Sequence, residues 1–101
     1  MKNDRLFVRV NSAALPYLTA ILNRLGVTYH QAGQELQMLN PLRDDRNFGS
    51  FAINLKTGRW SEFATNESGS DVISLVAFLR GCRQIDAAKD LASMLGVPVN
   101  E

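Results

Sequence analysis

The apolar residues of this 101-residue chain change their period twice. Between 12 and 25, Leu15, Leu18, Ile21, Leu22 and Leu25 recur at three- and four-residue spacings, which predicts an amphipathic helix. Ser12 is its expected N-cap, Gly26 its stop, and Pro16 falls early enough to be tolerated. From 28 to 63 the pattern becomes two-residue alternation. Phe51, Ile53 and Leu55 point one way and Ala52 and Asn54 the other, the pattern of a strand. Lys56-Thr57-Gly58 predicts a hairpin turn, and the returning strand puts Trp60 and Glu62 on one face and Ser61 and Phe63 on the opposite one. Shorter strand candidates, Thr28-Tyr29-His30 and 35–39, flank a turn at Gly33. From 70 the helical spacing returns: Val72, Leu75, Val76 and Leu79 up to Gly81, then Ile85, Ala88, Leu91, Ala92 and Leu95 up to Gly96 and Pro98. The order predicts one α+β domain over 1–101, a small antiparallel sheet packed with an N-terminal helix and two C-terminal helices. Residues 1–11 are expected to be a lead-in, either a short strand from the alternation of Leu6, Val8 and Val10 or a partly ordered segment. Residues 64–70 are expected to be a polar loop.

Charge and cysteine content exclude several classes. Eleven basic and ten acidic residues leave a net charge of +1, so any anion-binding surface has to come from local clustering. The single cysteine cannot form an internal disulfide and fits a reducing compartment. One cysteine and one histidine also exclude a structural zinc site built from four such ligands. No apolar run approaches the ~18 residues of a membrane span. The opening Met1-Lys2-Asn3-Asp4-Arg5 leads into no apolar signal segment. The expectation is a cytoplasmic protein without a membrane partner.

The cations Arg43, Arg46, Lys56 and Arg59 fall close together in sequence, interleaved with Phe48, Trp60 and Phe63. Guanidinium groups pair with phosphate bidentately, and an exposed ring stacks any base, so a sheet face carrying both holds single-stranded nucleic acid. The competing reading makes Trp60 and Phe63 core residues and the charges a solvated rim, with Asp44, Asp45 and Glu62 diluting the potential. Asp44 and Asp45, adjacent on a loop with no third carboxylate placed near them, do not make a metal or acid/base site. His30 and Cys82 lack partners that would make either catalytic. The segment Thr65-Asn66-Glu67-Ser68-Gly69-Ser70-Asp71 opens a helix. Its backbone N–H groups suit a phosphate, but its acids favour capping, with Ser68 and Asp71 at capping-box spacing.

Asn40-Pro41-Leu42-Arg43, Gly49-Ser50-Phe51-Ala52-Ile53-Asn54, Gly58-Arg59-Trp60-Ser61-Glu62-Phe63-Ala64-Thr65 and Gly69-Ser70-Asp71-Val72-Ile73-Ser74-Leu75 together resemble the zinc-binding domain of bacterial and phage DNA primases. The resemblance covers about residues 28–96 and is closer to the variant at the N-terminus of phage and plasmid primase-helicases. In metal-binding members a Cys-x-x-His pair precedes the strand and a Cys-x-x-Cys pair follows the hairpin. The corresponding residues here are Asn40, Arg43, Phe63 and Asn66, none a good zinc ligand. The resemblance therefore implies a zinc-ribbon-like but metal-free scaffold with no cofactor, held by packing, with Phe63 filling the vacated space as a small apolar core.

By that resemblance the chain is expected to be a non-catalytic DNA-binding module of a replication protein. Single-stranded DNA would meet Arg43, Arg46, Lys56 and Arg59 at its phosphates and Trp60 at a base. The alternative is an adapter that docks a replicative primase or helicase through its C-terminal helices. An enzyme acting on a small molecule is a third reading, for which the sequence offers no convergent polar constellation.

Overall fold

A computed structural model of the chain describes residues 2–99. Its first element overturns the expected lead-in. Lys2–Ala14 is a helix, α1, with Leu6, Val10 and Ala14 buried at four-residue spacing and Val8 turned outward. Leu6 and Val10 satisfy a helical stripe as well as a strand alternation, and no turn residue separates them from the helix that follows. Ser12 is therefore not an N-cap but an interior, exposed residue of α1. Pro16 cannot donate a backbone hydrogen bond, and the chain tightens into a 3-10 turn, Leu15–Tyr17, before continuing as α2, Leu18–Arg24. The stripe resumes with Leu18, Ile21 and Leu22. At its end Gly26 takes φ +72° and Val27 N–H reaches back to Leu22 C=O at 3.0 Å, a Schellman stop; Gly81 and Gly96 end the last two helices in the same way.

The middle of the chain is a five-stranded antiparallel meander with strand order equal to chain order. Its strands are β1 (Tyr29–Ala32), β2 (Glu35–Met38), β3 (Phe51–Asn54), β4 (Trp60–Glu62) and β5 (Glu67–Gly69). The alternation expected for 51–55 and 59–63 holds: Phe51, Ile53, Trp60 and Glu62 face inward, while Ala52, Asn54 and Ser61 face outward. Part of the expected 64–70 loop is strand instead. β5 pairs with β4 with Trp60 opposite Gly69 and Glu62 opposite Glu67, after a turn in which Asn66 takes φ +59°. Asn tolerates that conformation better than other residues with a Cβ.

Two helices follow, α3 (Val72–Arg80) and α4 (Gln84–Leu95). The cap of α3 is Asp71, not a Ser68–Asp71 box. Its carboxylate accepts from Ser74 N–H at 2.9 Å, and Asn11 of α1 accepts from Ile73 N–H at 2.9 Å. At the start of α4, Arg83 donates twice to Asp86, and that hydrogen bonding holds the carboxyl below its usual range. α1 packs on α3 and α4, and one core joins Leu6 of α1 to Leu36, Phe51 and Ile53 of the sheet and Leu91 of α4. Among the described residues no helix is long and apolar enough to cross a membrane.

Sheet and helices lock at Trp60. Its indole stacks on Phe78 of α3, with ring centroids 5.0 Å apart, and meets Phe51 edge-on at 6.1 Å. Indole Nε1–H donates to Ser74 Oγ at 2.9 Å, and Ser74 Oγ–H donates to Asp71 C=O at 2.8 Å. This junction requires glycine at 69, because a Cβ there would collide with both the indole and the Ser74 hydroxyl. Gly69→Ala is expected to destabilise the fold by about 1–3 kcal/mol through overpacking. Ser68→Ala, at the neighbouring exposed position, should stay within about 0.5 kcal/mol. Urea unfolding of the two variants measures both.

Candidate nucleic-acid interface

The β3–β4 hairpin presents two of the expected cations. Asn54 Oδ1 accepts from the N–H groups of Lys56 (2.8 Å) and Thr57 (3.0 Å), and Gly58 N–H closes the turn onto Asn54 C=O at 2.9 Å. Gly58 takes φ +79°, where a side chain would be strained. The fixed turn leaves Lys56 and Arg59 exposed at its end. Among the described residues no carboxylate lies within 4.0 Å of either cation. Arg59 also lines a shallow groove of about 640 Å³ over the outer face of the sheet, with Glu35, Asn54, Ser61 and Ser68. The groove floor is small because Ala52, Ser61 and Ser68 are directly paired across β3, β4 and β5.

Arg43 and Arg46 lie beyond the opposite end of β3. A four-residue strand spans about 13 Å, so the four cations form two groups and not one cluster. The two arginines also differ in state. Arg43 Nη1 is 2.8 Å from Asp45 and 4.0 Å from Glu62. Glu62 has no solvent exposure. Its carboxylate accepts from Asn40 Nδ2 at 3.0 Å and from Ala64 N–H at 3.1 Å. Asn40, itself buried, donates its backbone N–H to Asp45 at 2.8 Å and accepts from Leu42 N–H at 2.8 Å. Arg43 thus belongs to a loop-locking polar network; its side chain is 41% exposed, and a phosphate would compete with Asp45 and Glu62 for it. Among the described residues Arg46 pairs with Asp44 alone, at 3.1 Å, and both side chains are more than four-fifths exposed. Such a pair holds little energy and leaves Arg46 able to take another anion.

The aromatic side chains require a correction. Trp60 is 5% exposed and faces the core, so it cannot stack a base on the outer face. Near the cations, rings that reach solvent include Phe63, 77% exposed, and Phe48, which packs on His30 with centroids 4.3 Å apart. Phe63 therefore does not fill an inner space between the segments where the primase domains carry their ligands. That junction is occupied by Asn40, Asp45, Arg43 and Glu62, while Asn66 serves the β4–β5 turn. Sequence reasoning missed this network, although one signal pointed to it: an acid that shares the inward face of β4 with a tryptophan needs buried donors.

Asp44 and Asp45 diverge, one outward and one into the network. His30 shares a hydrogen bond with Gln37 at 2.8 Å, and Cys82 sits half-buried between α3 and α4. Among the described residues no three His, Cys, Asp or Glu side chains converge as a metal site. In comparison with known proteins, no family model matches the chain, and no curated protein matches it.

Asn40→Ala deprives a buried carboxylate of its side-chain donor. It is expected to cost about 3 kcal/mol. Arg46→Ala should cost less than about 0.5 kcal/mol. The midpoints of urea unfolding compare the two.

Proposed function

We propose that the chain is a non-catalytic module that holds single-stranded DNA across the outer face of its sheet. One observation carries the reading: the outer-face residues Ala52, Asn54, Ser61 and Ser68 are partly or fully open to solvent, and their groove is lined by Arg59, a guanidinium with no carboxylate within 4.0 Å among the described residues, in the same turn as Lys56. Arg59 and Lys56 contact phosphates at one end of the sheet and Arg46 at the other, with the exposed rings of Phe63 and Phe48 as stacking platforms in place of Trp60. The flat floor of Ala52, Ser61 and Ser68 lets the strand pass between them. The resemblance to primase zinc-binding domains supports a place in a cytoplasmic replication protein of primase or primase-helicase type.

Docking a primase or helicase through the C-terminal helices has less support. The exposed positions of α4, Gln84, Lys89, Asp90 and Ser93, are all polar, and its apolar Ile85, Met94 and Leu95 are partly buried against the core. α3 is mostly buried.

Fluorescence anisotropy with a labelled oligo-dT, titrated at several salt concentrations, tests the proposal. Three phosphate contacts at about −0.7 each give an expected slope of log K against log salt of about −2. Lys56→Ala combined with Arg59→Ala should reduce the slope to about −0.7, one contact. Phe63→Ala should weaken binding about tenfold if a base stacks there. Absence of binding at low salt, or a double variant that binds like the parent, overturns the proposal.

A further inference from the structure

We infer that the outer groove selects an unpaired guanine from the strand it holds; this rests on the reading of that face as a single-strand surface. Glu35 and Asn54 are directly opposed in the β2–β3 register, and both line the groove. Side chains so placed start about 5 Å apart and act on one ligand group together. Their hydrogen-bonding capacities are complementary. Asn54 Oδ1 is committed to the N–H groups of Lys56 and Thr57, which settles the orientation of the amide and leaves Nδ2 as a donor. Glu35 is an exposed carboxylate, an acceptor only, with no cation within 4.0 Å among the described residues.

A carboxylate beside a phosphate-binding arginine repels the strand unless donors from a base meet it. The Watson–Crick edge of guanine carries two adjacent donors, N1–H and N2–H, followed by the O6 acceptor. Glu35 takes the two donors and Asn54 Nδ2 donates to O6. Adenine and cytosine place a ring-nitrogen lone pair next to their single amino group, which sets it against the second carboxylate oxygen. Thymine offers one N–H between two carbonyls. Only an unpaired base exposes this edge, which matches a single strand and not a duplex. The floor of Ala52, Ser61 and Ser68 is low enough for a planar base to lie over it.

The experiment uses the full chain and oligo-dT carrying one central dG, dI or dA. Inosine keeps N1–H and O6 and lacks only the 2-amino group. The single dG is expected to tighten binding about tenfold over oligo-dT, and dI to lose most of that gain. Glu35→Gln should erase the difference between the dG and dI oligonucleotides, with thermal unfolding confirming that the variant is folded. If oligo-dT binds with the expected salt dependence while dG, dI and dA all agree within about twofold, the guanine preference is overturned and the single-strand reading stands. If no oligonucleotide binds at low salt, both are overturned.

Discussion

A carboxylate without solvent access sits at the inward end of β4, and the loop before β3 is shaped by the need to satisfy it. Moving such a charge out of water costs several kcal/mol after relaxation, and only well-placed donors and an opposite charge offset it. Asn40 supplies the buried amide, Ala64 a backbone N–H, and Arg43 the opposing charge, with Asp45 bridging Asn40 and Arg43. Satisfying Glu62 therefore ties residues 40–45 to the β4–β5 turn. Hydrogen bonds and charge make this connection, and Arg43 takes part in it.

A second junction sets which side of the sheet can bind. Trp60 stacks on Phe78 and bonds to Ser74, so the strand with the most useful ring for a base spends it on joining sheet to helix. Gly69 is correspondingly small, because the edge of the indole lies against β5 on that side, while Ser61 and Ser68, paired with each other, face the other way. The outer face is left flat, polar and accessible, bounded by cations at both ends. The same packing that buries the tryptophan opens the groove.

Much of the fold was legible because its signals are local. The glycine stops at 26, 81 and 96, the Lys56-Thr57-Gly58 turn and the alternation of 51–55 each act over a few residues. The N-terminal helix was obscured because Leu6 and Val10 satisfy two periodicities at once, and the choice between them came from the faces of α3 and α4 against which they pack. β5 was obscured because Glu67-Ser68-Gly69 has little strand propensity and pairs only because β4 offers it an edge. At the candidate site, Lys56 and Arg59 were legible from the turn that exposes them. Arg43 and Trp60 were not: Asp45, the arginine's nearest partner, is two residues away, but the buried Glu62 that organises their network is distant in sequence, as are Ser74 and Phe78 for the indole.

By itself the sequence determined the α+β class, the hairpin with its two exposed cations, and the lack of four Cys or His ligands for a structural zinc. These follow from residue type and short-range periodicity, which act before any long-range contact forms. Only the tertiary structure decided which face of the sheet packs on the core, which arginine joins the network around Glu62, and that Glu35 and Asn54 stand opposite each other over one groove. Those outcomes depend on strand register and on the satisfaction of buried charge, and both are settled by partners that the chain brings together only on folding.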